Sequence, residues 1–437
     1  MDFKLGMGER MMKHLRKTAI AAAGAALLIS MSACGSDNNG SSESASNETV
    51  KLTYWTNNGP GLDGLIKQYQ QDHPNVKIDV QVDDANLKQN LLTALSAGSG
   101  APDISILTVD DIPQFKNEEY FYNLKDFGAD QLQGDYLDSR WKQGTNADGS
   151  FIFGIPTDSG PMAMMYRTDL FEKAGLPTDR DSVSKLTATW DDFYKVGKTI
   201  KDKTGKPLVP DSYFGAFLPK IQQAGEYTIF DKDGNLTIDT NPAVKEAWDY
   251  SVKLAQEGLS AKQPDFSNDW KVGLVNGDFA TMFAPPWMLG VVKQNAPDAA
   301  GKWDIAMMPG GSANWGGSFL VIPKQSKHAE AAYAFMKWIL APEQQLSVYK
   351  TNGNFPSTPS VYSDEAFTGK KDEFFNNAPV GEIYSKAANK VTLMDAIHTW
   401  SDFTTTAQQV LPNVENGADP EQTWTDLVKQ IKSTLNR

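Results

Sequence analysis

Between residues 50 and 108 the spacing of apolar side chains switches repeatedly between two periods, and few folds satisfy such a pattern. Lys51-Leu52-Thr53-Tyr54-Trp55 reads as a strand. From Gly61 to Asp72, the residues Leu62, Leu65, Ile66 and Tyr69 recur at helical spacing. Val76, Ile78, Val80 and Val82 then alternate with Lys77, Asp79 and Gln81, the period of a strand with one buried face. Leu87 to Ala97 reads as a helix again, and Asp103-Ile104-Ser105-Ile106-Leu107 as a third strand. Strand, helix, strand, helix and strand in so short a stretch predict a doubly wound, largely parallel sheet. Each helix carries the chain back along the sheet, so the next strand starts in the same direction.

The same style continues downstream. Thr189-Trp190-Asp191-Asp192 fits a capping box, with an acidic side chain in place of the usual Glu, and Gly205 ends that helix. Asn241-Pro242 places a cap residue and a first-turn proline before a helix at 243–257, which Gly258 ends. Asp231-Lys232-Asp233-Gly234-Asn235 superficially resembles a calcium loop. Its glycine is misplaced and Pro242 stands where the closing Glu belongs, so it reads as a hairpin turn. Past residue 300, strands are expected at Trp303–Met308 and Phe319–Ile322, and helices at 329–340, 343–350, 383–388 and 424–435. With 437 residues the chain has length for two or three domains.

The N-terminus sets the compartment. Lys13, Arg16 and Lys17 precede an apolar run from Ala19 to Ile29, too short to span a bilayer, and small residues follow at Ser32-Ala33. This is a secretory leader over residues 1–33. Met31-Ser32-Ala33-Cys34-Gly35 resembles a bacterial lipobox, with Met where Leu is usual, and Cys34 is the only cysteine of the chain. An ordinary leader with a stray cysteine is the alternative. Residues 34–49 are Ser-, Asn-, Gly- and Glu-rich and form a flexible tether. A diacylated Cys34 would anchor stably where one chain would not. The expected location is therefore the extracellular face of the cell membrane, in a Gram-positive bacterium. A single cysteine excludes an internal disulfide and a cysteine-based metal site. Cleavage before Cys34 removes Lys4, Arg10, Lys13, Arg16 and Lys17 together with Asp2 and Glu9, so the net charge goes from −13 to −16. Nucleic acid has no electrostatic support as a partner.

Three stretches carry a family resemblance. Val50-Lys51-Leu52-Thr53-Tyr54-Trp55-Thr56-Asn57-Asn58 is similar to the first strand of extracellular solute-binding proteins of family 1, the carbohydrate-binding lipoproteins of sugar ABC transporters. Gly154-Ile155-Pro156-Thr157-Asp158-Ser159-Gly160-Pro161, continuing through Met165-Tyr166-Arg167-Thr168-Asp169-Leu170-Phe171, resembles that family's first interlobe crossing. Asn276-Gly277-Asp278-Phe279-Ala280-Thr281-Met282 with Pro286-Trp287 resembles the segment that presents a tryptophan to the ligand. The resemblance covers Val50 to Arg437 and includes maltodextrin, multiple-sugar and lactose-type members. It implies a periplasmic-binding-protein-like II fold of class α/β, with two α/β lobes, a three-segment hinge and a ligand cleft between them. The implied N-terminal lobe is 50–157 plus 310–356, and the C-terminal lobe 158–309 plus 357–437. The crossings are expected near Pro156–Asp158, Met308–Gly311 and Phe355–Ser357. The resemblance also implies an oligosaccharide ligand, membrane permease subunits as partners, and a monomer.

A sugar offers hydroxyls at its rim and C–H bonds on its faces, so its site needs flat aromatics and planar polar groups. A buried hydroxyl left unpaired costs on the order of 1–3 kcal/mol. Trp287, after a strand end and two prolines, is the foremost candidate, with a core tryptophan as the alternative. Asp158 could accept two hydroxyls or serve only a turn. Trp315 lies in the glycine-rich 310–317, with little core to enter. Trp400 matches an aromatic the family often offers from its second lobe, and otherwise packs a helix. Trp55, Asn57 and Asn58 end the first strand, where Trp55 could equally be buried. Asp110 and Asp111 follow the third strand, and one of them is expected at the ligand. Tyr213, with Phe214, completes the set. Leu107 departs from the stacking tryptophan of some maltodextrin-type relatives and puts a maltodextrin ligand in doubt.

Catalytic signatures are absent. Four histidines show no metal-pair spacing, and no Gly-x-Ser-x-Gly, Walker A or Gly-x-Gly-x-x-Gly occurs. No cofactor, no metal and no enzyme activity are expected. The alternatives are an exported glycoside-active enzyme, which needs only two carboxylates, and a binding protein for a polyamine or other cation.

Overall fold

The computed structural model describes residues 49–115, 119–225, 227–231, 235–392 and 400–435. The leader, Cys34 and the tether up to residue 48 lie outside the described residues, as do the centre of the 231–235 turn and His398-Thr399.

The alternating periods of residues 50–108 become β1 (Val50–Thr56), β2 (Val76–Val82) and β3 (Ile104–Thr108), separated by helices Asp63–Asp72 and Leu87–Ala97. β1 pairs in parallel with β2 from Val50↔Val76 to Thr56↔Val82, and with β3 at Tyr54↔Ile104. Leu52, Tyr54, Ile104 and Ile106 enter a core closed by Phe335, Met336 and Ile339 of the helix Ala329–Ile339.

Parallel pairing stops there. β4 (Gly154–Pro156) and β8 (Ser318–Val321) join the same sheet in the order β2-β1-β3-β8-β4, and β8 runs antiparallel to both its neighbours. A second sheet holds β5 (Ala163–Arg167) between β6 (Thr281–Ala284) and β7 (Trp303–Ala306), and both of its pairings are antiparallel. The expectation of a largely parallel sheet thus holds for β1, β2 and β3 alone. Local periodicity reports which residues are buried, not the direction of a strand that arrives from two hundred residues away.

Helix punctuation follows the sequence closely. Thr189 caps the helix Trp190–Thr204, its hydroxyl accepting from Asp192 N at 3.1 Å and donating to Asp192 Oδ2 at 2.7 Å. Gly205 ends this helix in left-handed backbone at φ 73°. Thr189→Ala is expected to lower stability by about 1 kcal/mol in urea unfolding, with an unchanged denaturant slope. Asn241 caps Pro242–Gln256 through Ala243 N at 3.1 Å. Around the 231–235 turn, Phe230 and Leu236 form an antiparallel bridge. Several helices go beyond the expectations, among them Asn268–Asn276, Pro286–Asn295 and Trp400–Glu415. The helix Trp400–Glu415 contains Pro412, a residue that ordinarily stops a helix, and Ala407, Leu411 and Val414 hold it against Trp248 and Trp424.

Candidate functional site

Two connections run between the two sheets and are stitched to one another by backbone. Residues 157–162 leave β4 for β5, and residues 307–317 return from β7 to β8. Met162 N donates to Ala313 O at 2.8 Å and Trp315 N to Gly160 O at 2.8 Å. The segment that follows the helix Pro342–Asn352 touches the first of them and the first lobe, since Ser159 N donates to Phe355 O at 2.8 Å and Leu137 N to Ser357 O at 2.8 Å. Beside this seam lies a crevice. Asp110 and Arg140 line it from the first lobe, Gln222 and Trp400 from the second, and Ser159 and Asn314 from the connections.

The two lobes meet directly across the crevice. Trp400, at the start of its helix, donates its indole N–H to Asp110 Oδ1 at 3.2 Å. Burial pushes the Asp110 carboxyl above the usual range, and Asp111 beside it adds to this. The Trp400 bond and the charges of Lys88 and Arg140 pull the other way. Arg140 is a fully buried cation on the short helix Asp138–Gln143. Its Nε donates to Asp158 O at 3.2 Å and its Nη1 to Gln143 Oε1 at 2.6 Å, while its guanidinium lies 4.6 Å from the centre of the Phe319 ring. Burial lowers its pKa to about 10, against the opposing pull of Asp158 and Asp110. Its Nη2 has no hydrogen-bond partner. A buried donor without a partner suits a hydroxylated ligand, which supplies acceptors at its rim.

An aromatic wall adjoins the connections. Phe214 stacks on Trp315 at 4.2 Å and 23°, and Trp287 meets Trp315 edge-on at 5.1 Å and 74°. Trp287 Nε1 donates to Trp315 O at 3.1 Å. It is the second residue of the helix Pro286–Asn295, which opens directly after β6, and both tryptophans are half-buried. Tyr213 is buried beside Phe214, and burial, then the charges of Asp110 and Asp211, raise its hydroxyl pKa.

Other candidates are engaged elsewhere. Trp55 packs with the cluster of Leu91, Leu107 and Phe115. Asn58 binds Asp84 through its backbone N at 2.8 Å and again through its side chain, and Asn57 Oδ1 caps Gly59 N at 3.0 Å. Asp111 forms an ion pair with Lys88 at 2.9 Å and accepts from Thr108 Oγ1 at 2.6 Å. Asp158 is buried with Oδ1 accepting from Thr157 Oγ1 at 2.6 Å and Ser318 N at 3.0 Å, so much of its work is to fasten the crossing. Burial raises its pKa, against Thr157, Arg140 and Ser318. Arg140, Gln222 and Asn314 carry no sequence signal. Each sits in an ordinary polar stretch, and only the fold turns it toward the crevice. Among the described residues no three His, Cys, Asp or Glu side chains are grouped to hold a metal ion.

The model of the bacterial extracellular solute-binding proteins matches residues 64–376. The chain belongs to this family. It is one of binding proteins rather than enzymes, and its members work outside the cell. A crystal structure of an extracellular solute-binding protein of family 1 superposes with a TM-score of 0.84 at 35% identity, over 88% of this chain and 99% of that one. An arabinooligosaccharide-binding protein of Halalkalibacterium halodurans is 26% identical, over 88% of this chain and 89% of its own length. A lactose-binding protein of Rhizobium radiobacter is 28% identical, over 73% of this chain and 76% of its own. The fold, two α/β lobes around a cleft, is also that of the ABC-transporter-associated binding protein of B. animalis subsp. lactis in complex with β-1,6-galactobiose. That structure has a TM-score of 0.71 at 24% identity, over 88% of this chain and 97% of that one.

Proposed function

We propose that this solute-binding protein captures an oligosaccharide outside the cell and delivers it to the permease of an ABC transporter by closing its lobes, without altering it. The observation that carries the reading is the crevice itself, where Asp110 and Trp400 meet from opposite lobes beside an aromatic wall. Planar amides and a buried guanidinium suit the rim of a sugar, and the tryptophans suit its faces. The relatives named for lactose and arabinooligosaccharides point the same way. Closing is a population shift whose extent equals the ligand's differential affinity for the closed state.

The N-terminal lobe is 50–157 with 310–356 and the C-terminal lobe 158–309 with 357–437, and rotation is taken up in the connections. The leader at 1–33 is removed, Cys34 is lipidated, and a monomer stands on the tether at the outer face of a Gram-positive membrane. Trp287, Trp315, Trp400, Asp110 and Tyr213 contact the sugar, and Asp158 sets the crossing beneath it.

Thermal unfolding of residues 50–437 against mono-, di- and trisaccharides and spermidine tests this. One oligosaccharide class at 100 times its dissociation constant should add about 2.7 kcal/mol and be recovered intact. Cleavage of that sugar, or a response to spermidine alone, would replace the reading.

A further inference from the structure

Another pocket shares no lining residue with the crevice. It lies between the helix Pro286–Asn295, the end of the helix Pro342–Asn352 and the short strand Lys371–Asp372. Leu289, Gly290 and Lys293 line it from the first of these helices, at the spacing of one helical face. Gly290 stands in the middle of that helix, where glycine lowers stability relative to alanine. A Cβ at Gly290 would meet nothing within 4 Å, so no packing demands the glycine, and its missing side chain leaves the pocket open. Tyr349 lines the pocket from the second helix and is only 2% exposed, yet its hydroxyl has no hydrogen-bond partner among the described residues. A buried hydroxyl left unpaired also costs stability. Two unfavourable choices thus meet at one hollow, and a ligand that fills it accounts for both.

The charged groups around the hollow say which ligand. Lys293 Nζ donates to Asp372 Oδ2 at 2.8 Å and keeps further N–H groups to give. Lys370 is exposed, with Nζ 5.4 Å from the centre of the Tyr349 ring and 3.3 Å from Lys350 O, to which it donates. Asp372 is already satisfied by Lys293 and by Phe374 N, which donates to its Oδ1 at 3.1 Å. Burial, then the charge of Asp372, push the Tyr349 hydroxyl up to about 12, so at neutral pH it keeps its proton and can donate it. Two ammonium groups against one carboxylate leave the pocket positive, with donors in excess of acceptors. A cation would be repelled there, and a neutral hydroxylated molecule would leave the charge uncompensated. An oxyanion supplies both the negative charge and several acceptor atoms, in short charge-assisted bonds. We propose that this pocket binds a small oxyanion, with Lys293 and Lys370 at its outer edge and the Tyr349 hydroxyl at its floor. The site is separate from the crevice and stands whether or not the crevice holds a sugar.

Isothermal titration and thermal unfolding of the mature protein with sodium phosphate, sulfate and acetate, at an ionic strength held constant with chloride, test it. At least one of these anions should bind saturably, with a dissociation constant of about 1 mM or below, and raise the unfolding midpoint. Gly290→Leu fills the hollow from a position with room for a side chain and should abolish that binding. Tyr349→Phe keeps the ring and removes the unpaired hydroxyl. It should unfold no more easily than the wild type without anion, yet bind the anion about tenfold more weakly. Lys370→Gln should weaken binding by about the same factor, whereas Lys77→Gln, an exposed change on β2, should leave it as it is. No saturable response to any of the anions, binding that survives Gly290→Leu or Tyr349→Phe, or equal weakening by Lys370→Gln and Lys77→Gln would each overturn the site.

Discussion

Arg140→Met is expected to lower stability by about 3 kcal/mol at neutral pH, because it removes a buried cation beside the buried carboxyl of Asp158 and the carboxyl of Asp110 at the crevice. Met approximates the length of the side chain and keeps its contact with Phe319. What it loses is the charge and the bonds to Asp158 O and Gln143 Oε1. Asp110 and Asp158 already stand above the usual carboxylate range through burial, and Arg140 pulls each of them back down. Without it both rise further. A carboxyl whose folded pKa is raised stabilises the fold while protonated and loses that contribution as pH rises through the folded value. The deficit of the variant should therefore be largest at neutral and alkaline pH and shrink on acidification through the carboxylate range. Urea unfolding of both proteins across that range checks it. A pH-independent deficit would mean that Arg140 acts through packing alone.

Gly160→Ala is expected to cost about 3 kcal/mol, at the upper end of what inserting one methyl into a packed site does. A Cβ at residue 160 would lie 2.1 Å from Trp315 O and 2.6 Å from its carbon, both backbone atoms. Rotating a side chain cannot relieve this. Trp315 N is bound to Gly160 O at 2.8 Å and Gly160 N to Asn314 Oδ1 at 3.1 Å, so the two connections between lobes must part together. Sugar affinity should fall along with stability, since Trp315 moves with its backbone. Gly134→Ala, where a Cβ meets nothing within 4 Å, should stay within about 0.5 kcal/mol of wild type. Equal behaviour of the two variants in urea unfolding would show that the seam is not close-packed.

Much of the architecture was legible before any coordinates. The alternating periods of residues 50–108 became β1, β2, β3 and their two helices, and Thr189 and Asn241 cap the helices they were expected to cap. Such features are decided by a few neighbouring residues through burial of one face and satisfaction of terminal amides. Family motifs identified the solute-binding class for the same local reason: the strand, the crossing and the Pro-Trp turn are each contiguous in sequence.

The candidate site was legible only as a list of residue types. Asp110 and Asp111 are indistinguishable neighbours in sequence, yet Lys88 and Thr108 engage Asp111 while Trp400, 290 residues away, engages Asp110. Trp55 could equally reach the cleft or be buried, and packing sends it into a cluster with Leu91 and Leu107, while Trp315 stacks on Phe214. Arg140 had no signal, because burial of a cation exists only once distant segments surround it. The sequence by itself determined the alternation of elements, their caps and the family. The tertiary structure decided strand direction beyond β3 and which polar and aromatic groups face the crevice. Those outcomes depend on contacts between residues far apart in the chain, which no local period encodes.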